Sequence, residues 1–179
     1  NCVRFKLGDN GEKFADKIAN ILLGFIDEDT IPIIIKLADK ADEDKRYEDA
    51  LEFYKLAAEA NNFEAIYRLG TYYYYGKGVT QDYFESVKWY LIAAEQGYAP
   101  AQSSLGRCYV YGEGVIKDEV EAVKWFRKAA GKGYAKAQFN LGVCYERGLG
   151  VKTDYKKAFE YYKLTADKGD ADAQENNND

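Results

Sequence analysis

The sequence repeats itself every 36 residues. Set in that step, AIYRLGTYYYYGKGVTQDYFESVKWYLIAAEQGYAP (65–100) lies over AQSSLGRCYVYGEGVIKDEVEAVKWFRKAAGKGYAK (101–136) and AQFNLGVCYERGLGVKTDYKKAFEYYKLTADKGDAD (137–172). Leu69, Leu105 and Leu141 coincide, as do the glycines that follow them, Tyr73, Tyr109 and Tyr145, and the whole Gly-x-Gly-Val block. A period of this length constrains the fold more than any other feature. A supersecondary unit this small cannot bury its apolar face alone, so successive copies must stack on one another.

Each unit reads as helix, loop, helix. The first helix stops at Gly76, Gly112 or Gly148, where a left-handed residue costs glycine nothing. The second glycine reverses the chain, and Val79, Val115 or Val151 tucks under the turn. Asp82, Asp118 and Asp154 stand where an N-cap is wanted, with Glu85 and Glu121 completing a capping box. Lys157 takes the Glu place in the third unit, which weakens that cap. The second helix carries Val87, Tyr90 and Ala94 and their equivalents at helical spacing and ends at Gly97, Gly133 or Gly169. Small residues at 93, 94, 129, 130 and 166 let the paired helices approach closely.

The pattern A-x3-LG-x5-G-x-GV-x2-D, followed by WY or WF, AA and G, resembles the Sel-one-like repeat, a relative of the tetratricopeptide repeat. The match covers 65–172; Tyr161 stands in for Trp89 and Trp125, and Thr165 replaces an alanine. The resemblance implies an all-α, right-handed α-solenoid of helix-loop-helix repeats, a tetratricopeptide-like superhelix. It also assigns the tyrosines of TYYYYG (71–76), which cannot share one environment because a helix turns about 100° per residue. Leu69, Gly70 and Tyr73 fall on the family's buried positions. Tyr72, in the place of Cys108 and Cys144, is expected to be buried as well. The concave face would then hold Tyr67, Thr71, Tyr74 and Tyr75 in one unit and Ser103, Arg107, Val110 and Tyr111 in the next. Phe139, Val143, Glu146 and Arg147 continue it in the last.

The flanks are read by the same register. YEDALEFYKLAAEANN (47–62) matches a second helix, whereas TIPIIIKLADKADEDKR before it lacks the Gly-x-Gly-Val loop. Residues 29–64 thus form a degenerate tetratricopeptide-like hairpin, with Thr30 as cap and Pro32 in the first turn. Residues 1–28 form an N-terminal capping segment, in which Phe14, Ile18, Leu22 and Phe25 mark one stripe of a helix over about 12–26. At the other end, 173–179 is a truncated repeat start with a polar tail, since Ala173-Gln174 copies the opening of a first helix and ENNND follows. Such an uncapped end points either to a chain cut within the array or to an end covered by a partner or by self-association.

Composition removes several function classes. The absence of histidine takes away the commonest general base and metal ligand, so neither metal nor cofactor is expected. The net charge of −5 speaks against nucleic acid, though residues 65–169 hold 16 bases against 11 acids. That middle region would favour an acidic partner. The longest apolar run, ILLGFI (21–26), is far short of the roughly 20 residues of a membrane span. Localisation follows only as a soluble protein, cytoplasmic or exported with its signal peptide removed. Cys108 and Cys144 lie one repeat apart, beyond the roughly 7 Å Cα separation of a disulfide, and Cys2 has no evident mate.

The function expected is a non-catalytic interaction module, an adaptor or scaffold holding a protein or peptide partner on its concave face. Tyr and Arg there are the residue types richest in interface hot spots. The alternatives are an immunity protein that blocks a secreted bacterial toxin enzyme, as the resemblance also implies, and a hydrolase working with two carboxylates.

Overall fold

The computed structural model describes residues 30–175, with side chains through Ala166. Eight helices and no strands occur among the described residues. α1 (Ile31–Glu43) and α2 (Tyr47–Glu59) form a leading hairpin. α3 (Phe63–Tyr75) pairs with α4 (Tyr83–Glu95), α5 (Ala99–Tyr111) with α6 (Glu119–Gly131), and α7 (Ala135–Arg147) with α8 (Tyr155–Glu175). The substantial contacts run between consecutive helices and are denser within a hairpin than between hairpins. The chain is therefore an all-α right-handed solenoid. The predicted helix over 12–26 and Cys2 lie outside the described residues.

The local chemistry explains the period. Gly76, Gly112 and Gly148 close the first helices at φ of 66°, 74° and 72°. Asp82, Asp118 and Asp154 accept the amides of Glu85, Glu121 and Lys157 at 3.0, 2.9 and 3.0 Å. The expected capping box does not close, because the amides of these aspartates already donate to the carbonyls of Tyr73, Tyr109 and Tyr145 at 2.9 Å. Glu85 and Glu121 pair instead with Lys88 and Lys124. Lys157 thus weakens nothing, and the third cap is as well made as the others. The leading hairpin, lacking loop glycines, places Lys45 and the later Asn61 in the left-handed region. At its start Thr30 takes the N-cap position, its carbonyl receiving the amides of Ile33 and Ile34.

Helix pairs approach closely because the residue after each repeated leucine is glycine. A Cβ on Gly70, Gly106 or Gly142 would fall 2.5, 2.6 or 2.5 Å from the ring of Tyr90, Phe126 or Tyr162 of the paired helix. Leu69, Leu105 and Leu141 are wholly buried beside them. The glutamines of the repeated Ala-Gln pairs tie unit to unit: Gln102 donates to the carbonyl of Ala94 at 2.9 Å, and Gln138 to that of Ala130 at 3.5 Å.

Two expectations need correction. The last helix does not end at Gly169 but runs on to Glu175, so Ala173 and Gln174 extend α8 rather than opening another first helix. In the earlier units Tyr98 and Tyr134 follow the glycine and are half-buried against the core; Asp170 takes that place and offers no ring to seat the turn. Tyr73 and Tyr109 are only half-buried, whereas Tyr145 is buried. The position lies in the last turn of the first helix, and in the third unit the Tyr145 hydroxyl receives Arg127 at 3.0 Å.

Candidate functional site

The strip read from the sequence resolves into side chains of three kinds. Tyr75, Tyr111 and Phe139 are exposed, at 58%, 66% and 52%, and Arg107, Glu146 and Arg147 are exposed with them. Tyr67, Thr71, Val110 and Val143 are half-buried, and Ser103 is buried. Ser103 is small and follows the buried Gln102, so it supplies floor rather than a projecting contact.

Tyr74 is half-buried and already engaged. Its hydroxyl donates to Glu113 at 2.7 Å and receives Arg107 Nη2 at 3.3 Å. Its ring lies edge-on to those of Tyr75 and Tyr83, with centroids 4.8 and 5.1 Å away. Burial and the Glu113 carboxylate push its pKa well above the ordinary phenol value. In the free chain the Tyr74 phenol thus fastens α3 to α5 and its loop. Tyr67 likewise stacks on Tyr90 at 5.6 Å, and Thr71 donates to the carbonyl of Tyr67 at 3.1 Å. Tyr72 is buried, as expected. It donates to Asp42 at 2.7 Å and packs edge-on against Tyr54.

Two clefts adjoin on this strip. The larger, ≈ 550 Å³, is lined by Tyr67, Ser103, Arg107 and Phe139, together with Tyr134, Lys136 and Asn140. The smaller, ≈ 240 Å³, is lined by Arg107, Val110, Tyr111, Val143 and Arg147, with Lys117, Phe126, Asn140 and Leu149 among the others. Arg107 and Asn140 border both clefts. Thr71, Tyr74, Tyr75 and Glu146 belong to neither; Glu146 accepts the Tyr162 hydroxyl at 3.1 Å. Sequence reasoning missed Asn140, and the signal that could have found it is helical spacing, since it lies one turn before Val143.

Cys108 and Cys144 are free, buried thiols whose pKa burial pushes up to about 12 and about 11. Among the described residues no group of three or more cysteines or carboxylates is placed to hold a metal ion, and no helix is long and apolar enough to cross a membrane.

Comparison with known proteins agrees with the repeat. A family model described as Sel1 repeat matches residues 40–62, 63–98, 99–134 and 135–170. No curated protein matches the chain. Among solved structures, c5321, a protective antigen of uropathogenic Escherichia coli with an SLR fold, is 33% identical with a TM-score of 0.76. A Sel1 repeat protein from Oxalobacter formigenes is 37% identical with a TM-score of 0.69. The alignments cover 90% and 74% of this chain but only 34% and 55% of those two, so the chain spans about a third and about half of their lengths. Four matched repeats over most of the sequence, on a fold shared with proteins of the same description, place the chain in the Sel1 repeat family.

Proposed function

We propose that this chain is an adaptor or scaffold module that holds a segment of a partner protein along the first helices of its repeats, without catalysis. Sel1 repeat proteins generally act in protein–protein interactions. The observation that carries the reading is the placement of Tyr111, Phe139, Arg107 and Arg147. They are large side chains left exposed around two adjoining clefts, on the helices whose other faces build the core. Exposed aromatic and guanidinium groups gathered at a concavity are what hot spots are made of.

A photoreactive phenylalanine analogue placed at Tyr111 or Phe139 and activated in the source cell tests the reading. The expected result is the same crosslinked protein from both positions, and none from Phe84, which is 72% exposed on the second helix α4 and lines neither cleft. Adducts from Phe84 alone would move the interaction away from the clefts to the second helices.

A further inference from the structure

The charge of the two clefts specifies the partner more closely. The chain carries a net charge of −5, yet the clefts are lined by Arg107, Lys117, Lys136 and Arg147 against one carboxylate, Glu119. Lys117 takes that carboxylate at 2.9 Å. The other acids of the strip are committed to phenols: Glu113 accepts from Tyr74, and Glu146 from Tyr162. Among the described residues, Arg147 and Lys136 enter no ion pair or hydrogen bond, whereas Arg107 donates to the Tyr74 hydroxyl, is hydrogen-bonded to Tyr75 and lies in the field of the Glu113 carboxylate. Two cations thus face the clefts with no carboxylate of their own, and Arg107 shares Glu113 with Tyr74, beside an apolar lining of Val110, Val143 and Leu149.

We propose that the occupant is an extended acidic peptide segment, with one side-chain carboxylate between Arg107 and Arg147 in the smaller cleft and an aliphatic or aromatic neighbour seated against Phe139 in the larger. This rests on the interaction reading above. A guanidinium offers a carboxylate two parallel hydrogen bonds, and Arg147, which makes none within the molecule, beside Arg107 is complementary to that group in charge and shape. A concentration of cations on a chain of negative net charge steers an acidic segment to this place and repels it elsewhere. A nucleic acid is less well matched. Its phosphates need a broad basic track, whereas these cations border apolar recesses on an acidic protein.

Fluorescence anisotropy with a short labelled peptide of glutamate, leucine and serine tests this, with the same peptide carrying glutamine for glutamate and a labelled oligouridylate as comparisons. The glutamate peptide should bind tightest and loosen as salt is added. Arg147→Gln and Lys136→Gln should each weaken it about threefold to fivefold at unchanged melting temperature, since neither side chain holds the fold together. Equal binding of the glutamine peptide, no effect of either substitution, tighter binding of the oligouridylate, or no peptide binding at all would each overturn the acidic-segment assignment. None of these decides the broader reading, which stands or falls on the crosslinking at Tyr111 and Phe139.

Discussion

Tyr74→Ala should lower stability, and Tyr75→Ala should not, although the two residues are adjacent and chemically identical. Complete removal of a buried aromatic side chain costs about 3–5 kcal/mol. Tyr74 is half-buried, so roughly half of that applies to its ring, which touches Tyr75, Tyr83 and the Arg107 guanidinium, 5.8 Å from its centroid. The hydroxyl bond to Glu113 adds less than a buried charged pair would, because Glu113 regains water when the phenol leaves. The sum is about 2 kcal/mol, which for a chain of this size lowers Tm by about 4–8 °C. Tyr75 is 58% exposed, and its truncation should stay within about 0.5 kcal/mol. Thermal unfolding followed by far-ultraviolet circular dichroism measures both. Equal losses, or a Tyr74→Ala protein melting within about a degree of the parent, would refute the assignment of Tyr74 to the intramolecular clamp.

Gly106→Ala should destabilise by about 1–2 kcal/mol, since the added Cβ meets the buried Phe126 ring and overpacking exceeds the gain in helix propensity. Gly131→Ala, with nothing within 4 Å of its Cβ, should instead stabilise by up to about 1 kcal/mol; chemical denaturation distinguishes the signs. Asp118→Ala should cost about 1 kcal/mol by the loss of its bond to the Glu121 amide, while Glu121→Ala stays within about 0.5 kcal/mol because no capping box closes. Burial raises the pKa of Cys108 to about 12 and of Tyr98 to about 12, from ordinary values of 9.0 and 10.0. Groups raised in the folded state favour folding fully below their unfolded pKa, so their contribution should hold below pH 9 and be lost as pH climbs towards 12. Tm measured across that range shows it, and a thiol reagent at neutral pH should modify Cys108 and Cys144 only after unfolding.

What the sequence disclosed was whatever recurs. The glycine stops, the aspartate caps and the leucine–glycine pairs appear in each repeat because each solves the same local problem, and the structure places them accordingly. Single events were not legible. Tyr74 is bound by Glu113, 39 residues away in the next loop, a pairing that no period announces. The capping glutamates were misread because the competing acceptor, the Tyr73 or Tyr109 carbonyl, belongs to the preceding helix. α8 runs through Gly169 where the earlier second helices stop, and Asp170 there takes the place of Tyr98 and Tyr134. Within the strip, helical spacing selected eight residues that border the clefts and four, Thr71, Tyr74, Tyr75 and Glu146, that do not, and it could not say that Ser103 sinks to the floor or that Asn140 joins Arg107 between them.

The decisive quantity is the affinity of the captured partner for two sets of substitutions made in the folded protein. Tyr111→Ala, Phe139→Ala and Arg147→Ala together should reduce affinity by at least about tenfold at unchanged Tm, while Phe84→Ala, Leu91→Ala and Ile92→Ala, exposed on the second helix α4 and lining neither cleft, should leave it unaltered. Loss of affinity from the second set with none from the first would contradict the account.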